Sequence, residues 1–353
     1  MSGKKRILLG MSGGLDSTMS ALFLKKQGFE VVGLTLKIWH LHPEKQEKEL
    51  AKASQLAKKL KIEHSITDIS QEFKKEVVDY FCEEYLSGRT PNPCNQCNPK
   101  IKWPWLLKKA NEMDCWHIAT GHYVRKEQKN GLWYIKKGVD QSKDQSYFLW
   151  NLKQHILERA IFPLGELTKV EVRKMAVENG FKETAYKQES MGVCFLSGTN
   201  YRDFIRKKAE RKELIISHGE IVNEAGQKLG QHPGIPFFTI GQKRGLKLEE
   251  KNYFVKHLER ESNKIIVSKS ATLSTKSLTL SSFYLTPSLF LNKKYAVDIR
   301  VRGIDKVPSL PGTVSLKNDK LEIDFTEEAW GITPGQSIVF YINDSVIGGG
   351  IVS

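Results

Sequence analysis

Several things are scarce in this sequence of 353 residues. No apolar run approaches the roughly 20 residues that span a bilayer, which excludes a chain threaded through a membrane by helices. The opening Met1-Ser2-Gly3-Lys4-Lys5-Arg6 passes straight into an apolar stretch and leaves no room for a leader, so a cytoplasmic protein is expected. Cysteine occurs five times, at Cys82, Cys94, Cys97, Cys115 and Cys194. An odd number in such a chain argues against a disulfide framework and leaves thiol chemistry or metal binding for the clustered ones. Cys82, on a helical pattern with Phe73, Val77, Tyr80 and Phe81, and Cys115 read as small buried hydrophobes. Acid is also short, with 40 Asp and Glu against 55 Lys and Arg, a net charge of +15. That surplus suits a polyanion such as nucleic acid, although a merely solvated basic surface has the same composition. The lysines form no terminal tail, so an RNA-binding surface would be built from folded parts.

The length exceeds one ordinary core of roughly 100–200 residues, so several domains are expected. In the first half, strand and helix patterns alternate. Residues 6–10, 30–39, 64–69 and 116–121 read as strands; 17–27, 47–60 and 71–86 read as helices, with Gly28 a stop. Such alternation predicts a Rossmann-like α/β domain with a parallel sheet covered on both faces, its ligand outside the carboxyl ends of the strands. Beyond about residue 210 short alternating runs take over, as at 264–267, 295–301, 321–325 and 337–342, and predict antiparallel all-β structure with one or two small barrels. The expected division is 1–205 for the α/β domain, 206–278 for a small central β domain and 279–353 for a C-terminal β-barrel, with a Ser/Thr-rich boundary near 275–282.

Between the first strand and first helix lies Gly10-Met11-Ser12-Gly13-Gly14-Leu15-Asp16-Ser17. Adjacent glycines let backbone N–H groups close on an anion, and a helix N-terminus adds partial positive charge. Ser12 and Ser17 add hydroxyl donors, and Asp16 beside a phosphate site suits a Mg²⁺ ion. The Gly-Lys-Ser/Thr ending of a Walker A loop is missing. The bland alternative is a capped glycine turn. SGGLDS resembles the PP-loop of the N-type ATP pyrophosphatases, which cleave ATP between the α and β phosphates and transfer AMP. The resemblance implies ATP and Mg²⁺ as cofactors and places Leu36, on the next strand, against the adenine.

A second signal must select the reaction. In Arg89-Thr90-Pro91-Asn92-Pro93-Cys94-Asn95-Gln96-Cys97-Asn98 two prolines hold an extended loop just before two cysteines three apart. A third thiol, Cys194, lies in Ser190-Met191-Gly192-Val193-Cys194-Phe195. Taken alone, C-x-x-C is also compatible with half a zinc site, a redox pair or coincidence; no convincing fourth zinc ligand and no thioredoxin-like context accompany it. Together with Ala119-Thr120-Gly121-His122-Tyr123, Lys143-Asp144-Gln145-Ser146-Tyr147-Phe148-Leu149, Thr333-Pro334-Gly335-Gln336 and Gly348-Gly349-Gly350-Ile351, the pattern resembles the tRNA-specific 2-thiouridylases from residue 6 to the end. The resemblance implies adenylation of the C2 oxygen of the wobble uridine of tRNA, then replacement of that oxygen by sulfur.

Position by position, the resemblance implies that Cys97 is the nucleophile and Cys194 the persulfide carrier, both with lowered pKa. Gly121 joins residues 10–17 and Leu36 in contacting ATP. Asn92, Pro93 and Cys94 match the loop that touches the target base; His122, Lys143, Asp144, Gln145, Arg300, Val301 and Gln336 match RNA contacts. Bland roles stand beside these: a satisfied histidine, an exposed Lys143–Asp144 pair, a turn glutamine. Two departures are visible. Cys94 stands where many members have Asp, so that acid's proton-transfer role has no obvious holder. Val301 replaces the Tyr that usually follows the Arg, so its stacking is lost. Cys94, Cys97 and Cys194 would also suffice to ligate three irons of a [4Fe–4S] cluster, an alternative to a bare persulfide route. The implied partners are tRNA and a sulfur donor, whether a cysteine desulfurase, a relay protein or sulfide. Two other classes compete: an amide or C–N ligase on the same loop, for which the cysteine trio would be idle, and a non-catalytic RNA-binding protein, which would not need SGGLDS.

Overall fold

The computed structural model describes residues 5–187, 192–269, 273–286, 293–303 and 309–353. Met1 to Lys4, Ser190-Met191 of the third cysteine motif and residues 270–272, just ahead of the Ser/Thr-rich boundary, lie outside them. Three layers build the first half. Strands β1 (Arg6–Gly10), β2 (Glu30–Lys37), β3 (Glu63–Asp68) and β4 (His117–Ala119) pair in parallel in the order β3-β2-β1-β4, and a two-residue strand, Ala160–Ile161, extends the far edge. Helices α1 (Leu15–Lys26) and α2 (Pro43–Leu60) and the helix Lys169–Glu178 cover one face, burying Ile7, Leu9, Met19, Leu24 and Leu60. The helix Trp103–Glu112 covers the other, where Leu8, Val32, Leu34, Trp103 and Leu106 form a second core. β1 contributes to both because successive side chains of a strand point to opposite faces.

Strand order reverses between β1 and β4. The crevice at the carboxyl ends of two such neighbours is where parallel sheets of this kind bind ligands. Here those ends carry residues 10–17 and 120–123.

The second half is β-rich, with two departures from the expected pattern. In the central four-stranded sheet Gly219–Asn223 pairs in parallel with Lys264–Ser268, whereas antiparallel pairing alone was expected. In addition, a hairpin inserted in the first half, Val124–Lys129 with Leu132–Lys137, joins the C-terminal antiparallel sheet through Lys136 and Ser345. The second core therefore continues from the parallel sheet into Tyr147, Trp150, Val339 and Tyr341. A further core joins the helical wall (Phe73, Phe81, Phe195, Phe204) to the central sheet (Val255, Ile265). Among the described residues no helix is long and apolar enough to cross a membrane.

Candidate active site

The phosphate loop is set by its neighbours. Met11 N–H donates to Leu34 O at 2.8 Å, and Thr35 Oγ1 donates to Met11 O at 2.7 Å, so β2 holds the loop's entry. His64 meets the same Thr35 hydroxyl at 2.8 Å, and burial lowers its pKa. Gly13 has φ +69°, and a Cβ there would stand 3.0 Å from the backbone of Ala53 on α2, so both conformation and space demand glycine. Helix α1 then starts with no side-chain cap, which leaves its first-turn N–H groups for an anion. Ser12 and Ser17 close the turn, Ser12 N–H donating to Ser17 Oγ at 3.3 Å. Leu36, half-buried at the carboxyl end of β2, packs against both the second core and the core beneath the cysteines.

Asp16 projects from the first turn of α1. Lys169 Nζ donates to both its carboxylate oxygens at 2.7 and 2.9 Å, and Tyr123 Oη donates to one at 2.8 Å. Gly121 backs onto Asp16, where an added Cβ would come within 2.9 Å of the Asp16 main chain. The carboxylate expected to meet magnesium thus already holds an ammonium. A metal ion does not fit this arrangement unless Lys169 withdraws.

The cysteine motif folds as a short helix, Cys94–Cys97, followed by a wide π turn, Asn98–Lys102. Asn92 Oδ1 accepts from Cys94 N–H at 3.1 Å, an Asx turn leading into this helix, and Cys97 N–H donates to Pro93 O at 2.9 Å. A spacing of three brings Cys94 and Cys97 to one side of the helix. Cys194 opens a tight turn whose next residue, Phe195, is fully buried against Phe73, Phe81 and Trp39. Phe195 O accepts from Leu41 N–H at 3.0 Å, which pins the turn to the segment leaving β2.

All five cysteines are free thiols, and Cys94, Cys97 and Cys194 lie within electrostatic reach of one another and of Lys102. Lowered pKa values were expected; the structure gives the reverse. Burial pushes Cys94 up, Cys97 up to about 11 and Cys194 up to about 12. Burial outweighs the pull of Lys102 on Cys97, where repulsion from Cys94 adds a smaller push; on Cys194 repulsion from Cys97 and Cys94 comes next after burial, ahead of Lys102. Solvent reaches Cys94 and Cys194. Protein nevertheless surrounds each sulfur on its other sides, so hydration of a thiolate is weakened and the upward direction holds. Among the described residues no three His, Cys, Asp or Glu side chains gather as metal ligands would, so the thiols as arranged do not fit a cluster.

Lys102 also connects the thiols to the phosphate loop. It lowers the pKa of His122, second to burial, and the adjacent Trp103 stacks on that ring at 6.1 Å. His122 follows Gly121, and its Nδ1 meets Thr120 Oγ1 at 2.6 Å.

The C-terminal sheet clamps the cysteine loop. Thr90 N–H donates to Pro334 O at 2.8 Å, Gln336 Nε2 donates to Thr90 O at 2.7 Å, and Asn95 Nδ2 donates to Ser337 Oγ at 2.6 Å. Asp144, expected among the RNA contacts, turns inward: its side chain is 2% exposed and accepts from Arg300 Nη1 at 3.0 Å and Ser146 Oγ at 2.8 Å. Val301 is buried in the C-terminal core, so its side chain is out of a ligand's reach. Gln145 Oε1 accepts from Tyr123 N–H at 3.0 Å, tying the 143–145 segment to the strand end beside Asp16. Lys143 and Pro93 are half-buried.

Three family models cover the chain: a tRNA methyl transferase HUP domain over 5–198, a tRNA methyl transferase PRC-barrel domain over 202–269 and an aminomethyltransferase beta-barrel domain over 275–352. The tRNA-specific 2-thiouridylase MnmA 2 of Phocaeicola vulgatus is 42% identical over 350 residues, 98% of this chain and 97% of that protein. The tRNA-specific 2-thiouridylase MnmA of Cytophaga hutchinsonii is 39% identical over 364 residues, 99% and 98% of the two chains. The chain belongs to the tRNA-specific 2-thiouridylase family. For a 2-thiouridylase, the residues that the sequence left unmarked are Lys102, Lys169 and Thr35. Thr168 and Glu171 form a capping box that is readable as T-x-x-E and places Lys169 at a helix start, but no local pattern names Asp16 as its partner.

Proposed function

We propose that this chain uses ATP to adenylate the C2 oxygen of the wobble uridine in tRNA and then exchanges that oxygen for sulfur held on its cysteines. The observation that carries this reading is the continuity from phosphate loop to thiols through Gly121, His122 and Lys102. Activation and sulfur transfer must act on one pyrimidine carbon, so their groups have to share one concavity.

A carbonyl oxygen leaves poorly and AMP leaves well. In the first half-reaction the C2 oxygen attacks the α-phosphorus, N3 gives up its proton, and pyrophosphate departs with the electron pair of the Pα–O bond. The open N-terminus of α1 and the Ser12 and Ser17 hydroxyls bind the phosphates. Magnesium bound to the nucleotide would neutralise phosphate charge, with Asp16 the carboxylate at hand. In the second half-reaction the outer sulfur of a persulfide on Cys194 attacks C2 and AMP leaves. Cys97 then attacks the inner sulfur, which leaves 2-thiouridine and a Cys97–Cys194 disulfide. Sulfide attacking that disulfide reloads Cys194 as a persulfide and frees the Cys97 thiol; on the other route a thiol reductant first opens the disulfide, and a desulfurase or relay protein then passes persulfide sulfur to Cys194. Asn92, Pro93 and Cys94 face the target base, and His122, Lys143, Gln145 and Arg300 lie along the RNA path. Domain limits near 205 and 278 and a cytoplasmic setting complete the reading.

The test is pyrophosphate release. It should require ATP and unmodified tRNA together and yield AMP in equal amount. An RNA-binding protein without this activity would bind the tRNA and release none.

A further inference from the structure

We infer that Lys169 is a phosphate-binding residue for the β and γ phosphates of the nucleotide, and that Asp16 parks it in the absence of nucleotide. The inference rests on the adenylation reading above and goes beyond it by assigning a residue that the cradle motif does not contain.

Lys169 is an unusual place for a lysine. Its side chain is 8% exposed, and ammonium groups are seldom buried unless paired. Its partner is Asp16, in the first turn of α1 and two residues past Gly14. The carboxylate is 36% exposed, so it lies open to what occupies the loop while the lysine lies behind it. The backbone of Lys169 is fixed independently of that pair. Its N–H donates to Asp140 Oδ2 at 2.9 Å, and the Thr168–Glu171 capping box sets the helix it begins. Movement of the ammonium therefore needs only side-chain rotation about a fixed stem.

Charge gives the motion a cause. Before nucleotide arrives the Asp16 carboxylate faces the Lys169 ammonium. A triphosphate adds several negative charges beside Asp16, and like charges at that range repel. The ammonium is a positive group already in contact with the loop through Asp16, and phosphate oxygens offer it a stronger field than one carboxylate does. As the Pα–O bond breaks, negative charge accumulates on the departing pyrophosphate, where a fixed cation lowers the barrier. Asp16, freed by the exchange, faces the same phosphates.

The assignment separates ATP from AMP, because AMP lacks the phosphates that Lys169 would hold. Calorimetric titration of the full-length wild type and of Lys169→Met with ATP, pyrophosphate and AMP tests it. The expected result is a rise of tenfold or more in Kd for ATP and pyrophosphate with AMP affinity within twofold of wild type. Lys169→Arg should recover most of the ATP affinity. Lys169→Gln, which still donates to Asp16 and so preserves the fold should the Met variant unfold, should behave like Met. Equal losses for ATP and AMP would mean that Lys169 only supports the loop's shape, and unchanged ATP binding would mean that it plays no part; either overturns the inference. A wild type that binds neither nucleotide would instead refute the adenylation reading itself.

Discussion

Raising the pH from 7 to 10 should accelerate alkylation of Cys97 about a thousandfold. Only the thiolate reacts, and burial with Cys94 alongside lifts the Cys97 pKa to about 11 despite Lys102. The sign follows directly: a raised thiol pKa means less anion at every pH below it. The thiolate fraction is then about 10⁻⁴ at pH 7 and about 10⁻¹ at pH 10, whereas a free thiol of pKa ~8.5 gains only about thirtyfold over the same interval. The assay is iodoacetamide labelling of the wild-type chain, with modification at Cys97 told from that at Cys94 by fragmenting the shared peptide in the mass spectrometer, and compared with the urea-unfolded chain. Lys102→Met should slow labelling at pH 8 several-fold further, because it removes the cation that favours the thiolate. A rate that levels off below pH 8 would refute the reasoning, since it would mean that the cationic surroundings outweigh burial.

Other outcomes concern the clamp and the chemistry. Ser337→Ala strands Asn95 Nδ2, on a residue whose Oδ1 is already buried without a partner, and should cost about 1–3 kcal/mol in urea unfolding. Cys194→Ser should stop sulfur incorporation, measured as 2-thiouridine, while tRNA-dependent pyrophosphate release continues. Affinity for tRNA should fall with salt, each neutralised phosphate adding about 0.7–0.9 to the log–log slope in a filter-binding titration. A flat response would contradict a phosphate-led interface.

Much of the α/β half was legible. Apolar runs and glycine stops placed β1 and α1 to within a residue or two, because period and caps are local signals. The strand at 337–342 coincides with the expected run for the same reason. What escaped reading depends on distant pairing. Nothing in 124–137 announces that it will join a sheet ending at residue 351, and the parallel partner of Gly219–Asn223 lies some forty residues away. In the site, the glycine loop and three cysteines stood out by composition. Their electrostatics did not, because a thiol's pKa depends on how much protein surrounds it and on which other thiols approach. Lys102 was legible only as a lysine near cysteines, and its reach to His122 needed the fold. Lys169 belongs to a different helix from Asp16, 153 residues along the chain. Asp144 looked like an exposed recognition group, yet its buried carboxylate pairs with Arg300 across 156 residues and ties the α/β domain to the C-terminal sheet.

The central claim is that one concavity both activates and thiolates a single uridine. It is tested most directly by incubating the chain, its Cys97–Cys194 disulfide formed beforehand with a mild oxidant, with ATP, sulfide and unmodified tRNA, then digesting the RNA and separating its nucleosides. The expected result is 2-thiouridine formed only when ATP is present, with one AMP released per sulfur incorporated. Unchanged uridine alongside steady AMP release, or sulfur incorporation that persists without ATP, would contradict it.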